Sequence, residues 1–191
     1  MSNVKIIVVY HSGYGHTEKL AEKVLEGVKE VTSDARLINV SKIQEQDWNE
    51  LDAANGIIFG APTYMGGVSG PFKTFLDATA GRWMKSKWKD KVAAGFTNSG
   101  SASGDKLNSL VQIAITAAQH CMIWVGCDVM TQQHKGAEVA GATELNRLGS
   151  YLGLMAQSNN DSPEVTPPSG DLETAKLFGK RVASITKKIH G

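Results

Sequence analysis

Along the chain, short runs of β-branched and aliphatic residues alternate with stretches whose apolar positions recur every three or four residues. Residues 4–10 (Val-Lys-Ile-Ile-Val-Val-Tyr) are a run of the kind that is buried on both faces of a parallel sheet, and a polar turn with glycine ends it. Over 17–31, Leu20, Val24 and Val28 fall on one stripe with Ala21 and Leu25 beside it, which predicts a helix. The pattern recurs. Further strands are predicted at 35–40, 55–61, 91–98 and 121–125. A helix is predicted at 71–80, with Pro71 in its first turn and Phe72, Phe75, Leu76 and Thr79 on one face. Another carries Leu107, Leu110, Val111, Ala114 and Ala118, and a last one at 171–189 aligns Leu172, Ala175, Phe178, Val182, Ile185 and Ile189. Five short strands alternating with helices require right-handed crossovers, which cover both faces of a parallel sheet. The expected fold class is therefore α/β, a three-layer sandwich around a five-stranded parallel sheet. Residues 126–170 break the pattern and are rich in Gly, Asn, Ser and Pro. Ordered loops of that length are uncommon and tend to be functional, so this one is a candidate to shape a site or an interface.

Composition narrows the function classes. At 191 residues with 41% hydrophobic content, the chain has material for one core, and a single domain over 1–191 is expected. Its formal net charge of +1 comes from interspersed acids and bases, which builds no field for nucleic acid or an anionic membrane. The start runs into a strand without a signal peptide, and no apolar stretch approaches a membrane span. The expectation is a cytoplasmic protein that is not integral to a membrane. Cys121 and Cys127 have only His120 near them in sequence, too few ligands for a metal, and are expected to be reduced core thiols.

In open parallel sheets, ligands bind beyond the carboxyl ends of the strands, near the point where strand order reverses. Three loops lie there. The first, His11-Ser12-Gly13-Tyr14-Gly15-His16-Thr17, leads into a helix whose free N–H groups and dipole favour an anion. Ser12 and Thr17 add hydroxyls, and Gly13 and Gly15 let the backbone curl around a phosphate. It lacks the lysine of a nucleoside-triphosphate loop, and Glu18 stands where a dinucleotide fingerprint needs its third glycine. A terminal monophosphate held by dipoles remains, beside the plainer reading of a helix cap. The second loop, 61–71, contains Pro62, Thr63, Tyr64, Met65 and Gly66 and could pass its backbone along the edge of a flat ring. The third, Thr97, Asn98, Ser99, Gly100, Ser101 and Ala102, offers small residues and many donors.

Together these loops carry a resemblance. The Ser-x-x-Gly-His stretch of residues 12–16, the run 62–66 followed by Ser69-Gly70 and 72–77, the run 96–101, and His120-Cys121-Met122 resemble the tryptophan-repressor-binding-protein-like NAD(P)H:quinone oxidoreductases, a branch of the flavodoxin-like FMN proteins. The resemblance spans nearly the whole chain. It implies a flavodoxin-like fold with non-covalent FMN, whose phosphate is held by Ser12, Gly13, Tyr14, Gly15, His16 and Thr17. It implies further that Thr63 to Gly66 line the isoalloxazine, that Thr97 to Ala102 contact the ring or ribityl chain, and that His120 lies near the pyrimidine side. Tyr14 and Trp83 would border the slot where nicotinamide or a quinone-like acceptor stacks, in a homodimer or homotetramer. The chain departs from typical members in a shorter stretch between its second and third strands and in Tyr64 where many have arginine.

The implied activity is an oxidoreductase that moves a hydride from NAD(P)H to FMN and two electrons on to a quinone-like acceptor. The cofactor does the difficult chemistry, so no catalytic triad is needed, and none is assigned. The alternative is an FMN electron carrier, though flavodoxins are strongly acidic for docking and a chain at +1 lacks that surface. A receiver domain would need an acidic acceptor after the third strand, where this chain reads Phe59-Gly60-Ala61-Pro62. Among single residues, Trp124 reads as core, Trp83 and Trp88 as half-exposed or interfacial, and His120 equally as a helix C-terminal cap.

Overall fold

The structure is a computed structural model that describes residues 3–131 and 141–191. β1 (Ile6–Tyr10) is buried along its whole length. Its side chains alternate between two cores: Ile6, Val8 and Tyr10 face one, Ile7 and Val9 the other. Parallel pairing sets β1 against β2 (Ala35–Asn39), with Val8 opposite Leu37, and against β3 (Gly56–Tyr64), with Val8 opposite Ile58. β3 pairs in turn with β5 (Val92–Ser99), Ile58 opposite Ala94. Beyond β5, one strand position is shared by β6 (Ile123–Trp124) and β7 (Leu154–Gln157), both parallel to it. The order β2-β1-β3-β5-β6 reverses between β1 and β3.

Helices cover both faces. α1 (His16–Lys29) and α6 (Ser169–His190) bury Leu20, Val24, Ala175, Phe178 and Val182 against the first core. On the other face, α3 (Gly70–Ala78) and α5 (Lys106–Gln119) bury Phe72, Phe75, Leu76, Ile113 and Ala117. This is the flavodoxin-like three-layer sandwich, with five parallel strand positions as expected. Among the described residues, several elements exceed the expectation, including a 3-10 turn at Val40–Lys42. α2 (Glu45–Ala53) buries only Asp47 and Leu51, too few apolar positions for a helical stripe, and is held by a capping box of Gln44 and Asp47. β4 (Gly67–Val68) folds antiparallel onto the end of β3 through a two-residue turn at Met65 and Gly66, both at positive φ. A short α4 (Ala80–Met84) follows α3. The stretch 126–170 contains β7, and its residues 132–140 lie outside the described ones.

Three expectations are corrected. Trp88, read as half-exposed, is fully buried, because its indole N–H reaches Asp52 Oδ1 at 2.9 Å and its ring packs on Phe59 and His120. Cys121, read as a core thiol, is exposed on the turn after α5, whereas Cys127 is buried. Trp124 lies on the short edge strand and is half-buried, its indole N–H donating to the Leu152 carbonyl.

α1 and α6 cross through glycine on both sides. A β-carbon on Gly27 would overlap the Lys176 carbonyl oxygen, and one on Gly179 the Val24 carbonyl oxygen. Helix propensity alone favours alanine over glycine by about 1 kcal/mol. A clash with backbone, which no rotamer change relieves, costs about 1–3 kcal/mol or more and wins. Gly179→Ala should therefore lower stability, and at about 2–4 °C per kcal/mol the melting temperature should fall by several degrees. Thermal unfolding of the apoprotein reads this, and a rise in Tm would mean that the helices slide apart at no cost.

Candidate functional site

The carboxyl ends of β1, β3, β5 and β7 open on one cavity of about 630 Å³. That volume is within the usual range for a cofactor or small ligand. Its floor is the loop after β1, where Ser12, Gly13, Tyr14, His16 and Thr17 line it. Gly15 stands at the head of α1 with φ +91°, and its N–H donates to Ser12 Oγ at 3.0 Å. No side chain caps α1, so the N–H groups of its first turn are left for a ligand. Glu18, the acid of that turn, instead accepts the Tyr10 hydroxyl. Among the described residues, no lysine or arginine lines the cavity. An anion there would be held by backbone dipoles and hydroxyls.

The second wall is the end of β3, Pro62, Thr63 and Tyr64, with the Tyr64 ring edge-on to Tyr14 at 6.4 Å between centroids. The third is Asn98, Ser99 and Gly100. A buried hydroxyl chain ties these walls from behind: Thr63 Oγ1 lies 2.8 Å from Thr97 Oγ1 and 2.7 Å from Ser109 Oγ. His11 joins the first wall to the helix after the second, its Nδ1 2.8 Å from Ser69 Oγ, and burial lowers its pKa from the ordinary 6.5.

The fourth wall comes from the stretch 126–170, in residues that the sequence does not single out. Ser158, Asn159, Asn160 and Asp161 follow β7 and close the cavity opposite the second loop. Ser158 Oγ donates to Asn98 Oδ1 at 3.0 Å, and the Asp161 carbonyl meets His16 Nε2 at 2.8 Å. The Asp161 carboxylate accepts the N–H of Ser162 at 2.8 Å. The signal was local: an apolar Leu154-Met155-Ala156 run followed by small polar residues repeats the pattern of the other strand ends.

Of the expected site residues, the structure brings together those of residues 12–17, 62–64 and 98–100. Thr97 is fully buried behind the wall. Met65 and the half-buried Gly66 form the tip of the β3–β4 turn, and Ser101 and Ala102 are exposed beyond the third wall. His120 and Trp83 do not line this cavity. They share a separate depression with Thr79 and Gln119, where His120 Nε2 contacts Thr79 Oγ1 at 2.8 Å and its ring packs at a tilt of 31° on Trp88, centroids 4.7 Å apart. His120 is the C-terminal cap residue of α5, and burial lowers its pKa. Among the described residues, no group of His, Cys, Asp and Glu could hold a metal, and no helix is long and apolar enough to cross a membrane.

Comparison with known proteins gives this geometry a context. Residues 4–135 match the family model for NADPH-dependent FMN reductase, more than half of the chain. The chain belongs to that family. It is 43% identical to flavodoxin FldP of Pseudomonas aeruginosa over 97% of this chain and 98% of that one. It is 30% identical to an NAD(P)H dehydrogenase (quinone) of Geotalea daltonii, over 97% and 98% respectively. The crystal structure of a flavodoxin, WrbA-like protein from Agrobacterium tumefaciens superposes with a TM-score of 0.78 at 42% identity, covering 98% of this chain and 99% of that one. As a member of the FMN reductase family the chain binds FMN, and NAD(P)H is the donor consistent with it. The uncapped helix N-terminus and the cavity between Tyr64 and Gly100 suit a phosphate joined to a flat ring.

Two tests follow from the first loop and its neighbours. A β-carbon at Gly15 would come within 2.6 Å of Pro163 Cγ, at a φ that L-residues rarely adopt. Gly15→Val should weaken FMN binding at least tenfold while changing riboflavin binding much less, as titrations of both flavins would show. Equal losses would mean that the loop does not hold the phosphate. For His11, the lowered pKa means that the unfolded chain takes up its proton first as pH falls. Stability from this group is complete above about pH 6.5 and is lost below it. His11→Asn should flatten part of the drop in urea midpoint between pH 7 and 5, and an unchanged slope would show that His11 takes up its proton at the same pH folded and unfolded.

Proposed function

We propose that the cavity holds FMN and that the protein is an NAD(P)H oxidoreductase with a quinone-like acceptor. The observation that carries this reading is the meeting of an uncapped helix N-terminus with an aromatic rim in one cavity. Bound there, FMN would supply hydride uptake from the nicotinamide and two-electron delivery to the acceptor. The chain's own part is to bind and orient. The first-turn N–H groups of α1, with Ser12 and Thr17, would take the phosphate. Thr63 and Tyr64 would flank one edge of the ring, with Asn98, Ser99 and Gly100 along another. Tyr14, 77% exposed at the mouth, would border the open face, beside Tyr64. Trp83, which lines the separate depression beside His120, is not assigned to this slot.

A second reading has an observation of its own. The 43% identical relative is named a flavodoxin, which favours an electron carrier that does not turn over NAD(P)H itself. Against it stands the formal net charge of +1, which gives no acidic docking surface.

Turnover separates the two. If one slot over the flavin serves both substrates, donor and acceptor must occupy it in turn. Initial rates at several fixed quinone concentrations should then give parallel double-reciprocal lines against NAD(P)H. Intersecting lines would sink the shared slot. Protein that carries FMN yet oxidises no NAD(P)H with any quinone would be a carrier.

A further inference from the structure

Lys106 is a fully buried ammonium that the reading above does not use. It is the first residue of α5, just after Gly104 and Asp105 reverse the chain at positive φ. Its Nζ reaches back under the third wall and donates to Ser99 Oγ at 3.0 Å, the Ser101 carbonyl at 2.5 Å and the Ala102 carbonyl at 3.0 Å. Three protons meet three acceptors, a match that only the charged form makes, since a neutral amine donates two. None of the three partners is a carboxylate. An apolar side chain would occupy the same space without the cost of burying a charge, so the charge is explained by the loop it holds.

The next carbonyl back is held from a different side. Gln157 Nε2 donates to the Gly100 carbonyl at 3.1 Å, and Gln157 is itself fixed by Arg147 and Asp171. The carbonyls of Gly100, Ser101 and Ala102 are thus all taken by donors of the protein. Across a trans peptide the next N–H points opposite to the carbonyl, so the N–H groups of Ser101, Ala102 and Ser103 face away from those donors.

We propose that Lys106 is a positioning residue for the flavin, locking the turn behind Asn98, Ser99 and Gly100 so that this wall is already in place when the ring arrives. This rests on the reading of the cavity as an FMN site. Order present before binding does not have to be created by binding, so the clasp raises affinity without touching the phosphate. It also makes affinity depend on pH. Burial pulls the Lys106 pKa down to about 8, opposed by Asp171 of α6 and assisted by Arg147 before β7, the charged groups that face it. As pH rises through that value one of the three bonds is lost and the turn loosens.

Lys106→Met, an unbranched apolar replacement, tests this in three measurements. FMN and riboflavin should both bind roughly tenfold more weakly, by equal factors, the size of one or two lost hydrogen bonds. Wild-type affinity for both flavins should fall between pH 7 and 9, while that of the variant stays flat. In the apoprotein, backbone order parameters over 100–103 should drop from about 0.85 to below about 0.6 on substitution. Wild-type affinities with unchanged order parameters, or a variant that keeps the pH dependence, would overturn the proposal. If the variant does not fold, a flat wild-type profile from pH 7 to 9 overturns it and a fall supports it. Wild-type protein that binds neither flavin would remove the FMN reading, and the order parameters alone would then decide whether Lys106 holds the turn.

Discussion

The direction in which α1 points depends on its crossing with α6. Gly27 and Gly179 let each helix place its backbone against the other, and neither has a side chain at the contact that could repack to another angle. The same axis ends at Gly15, where the first-turn N–H groups open on the cavity. A tilt of α1 would carry those groups away from Thr63, Asn98 and Ser158 on the other three walls. The close contact between α1 and α6, at one end of the layer, therefore sets where an anion can bind at the other.

Electrostatics in the cavity are weak by design of its parts. A helix N-terminus contributes about 0.3–1 kcal/mol to binding a negative group, and up to about 2 kcal/mol when partly buried. With no lysine or arginine among the described lining residues, a phosphate would be held by that dipole, by hydroxyls and by N–H groups. Much of the affinity for a cofactor must then come from burying its flat ring. The rigid hydroxyl chain from Thr97 through Thr63 to Ser109 keeps the second and third walls at a fixed spacing for that purpose.

The central strands and the helices that pack on them were legible because each buries a full stripe or a full run. The run from Ile6 to Tyr10 and the stripe of Leu20, Val24 and Val28 have no other good explanation. α2 was not legible, since its stability comes from a capping box and from Asp47 meeting Arg36 across on β2. The three glycine-containing loops of the site could be read from their place after strands. Ser158 could not be tied to Asn98 in the same way, because sixty residues of chain separate them and no local pattern records the contact. His120 and Trp83 came from resemblance alone, and they line a different depression, where His120 is held by Thr79 and Trp88.

The split edge strand has a consequence for how the site is anchored. Trp124 pairs with Ala93 and Leu154 with Phe96, three residues further along β5, or roughly 10 Å at the rise of a strand. The chain leaves the sheet and returns to it almost where it left, and Trp124 Nε1 clasps the Leu152 carbonyl across the gap. A couple of residues would close the strand. The described residues between Trp124 and Leu154 put Val125 and Cys127 into the first core, and β7 then hands the chain back at the fourth wall of the cavity. Arg147, on that route, grips Asp171 of α6 and Gln157 of β7, so the returning strand and the fourth wall are anchored to one helix while the opposite end of the site stays where α1 puts it.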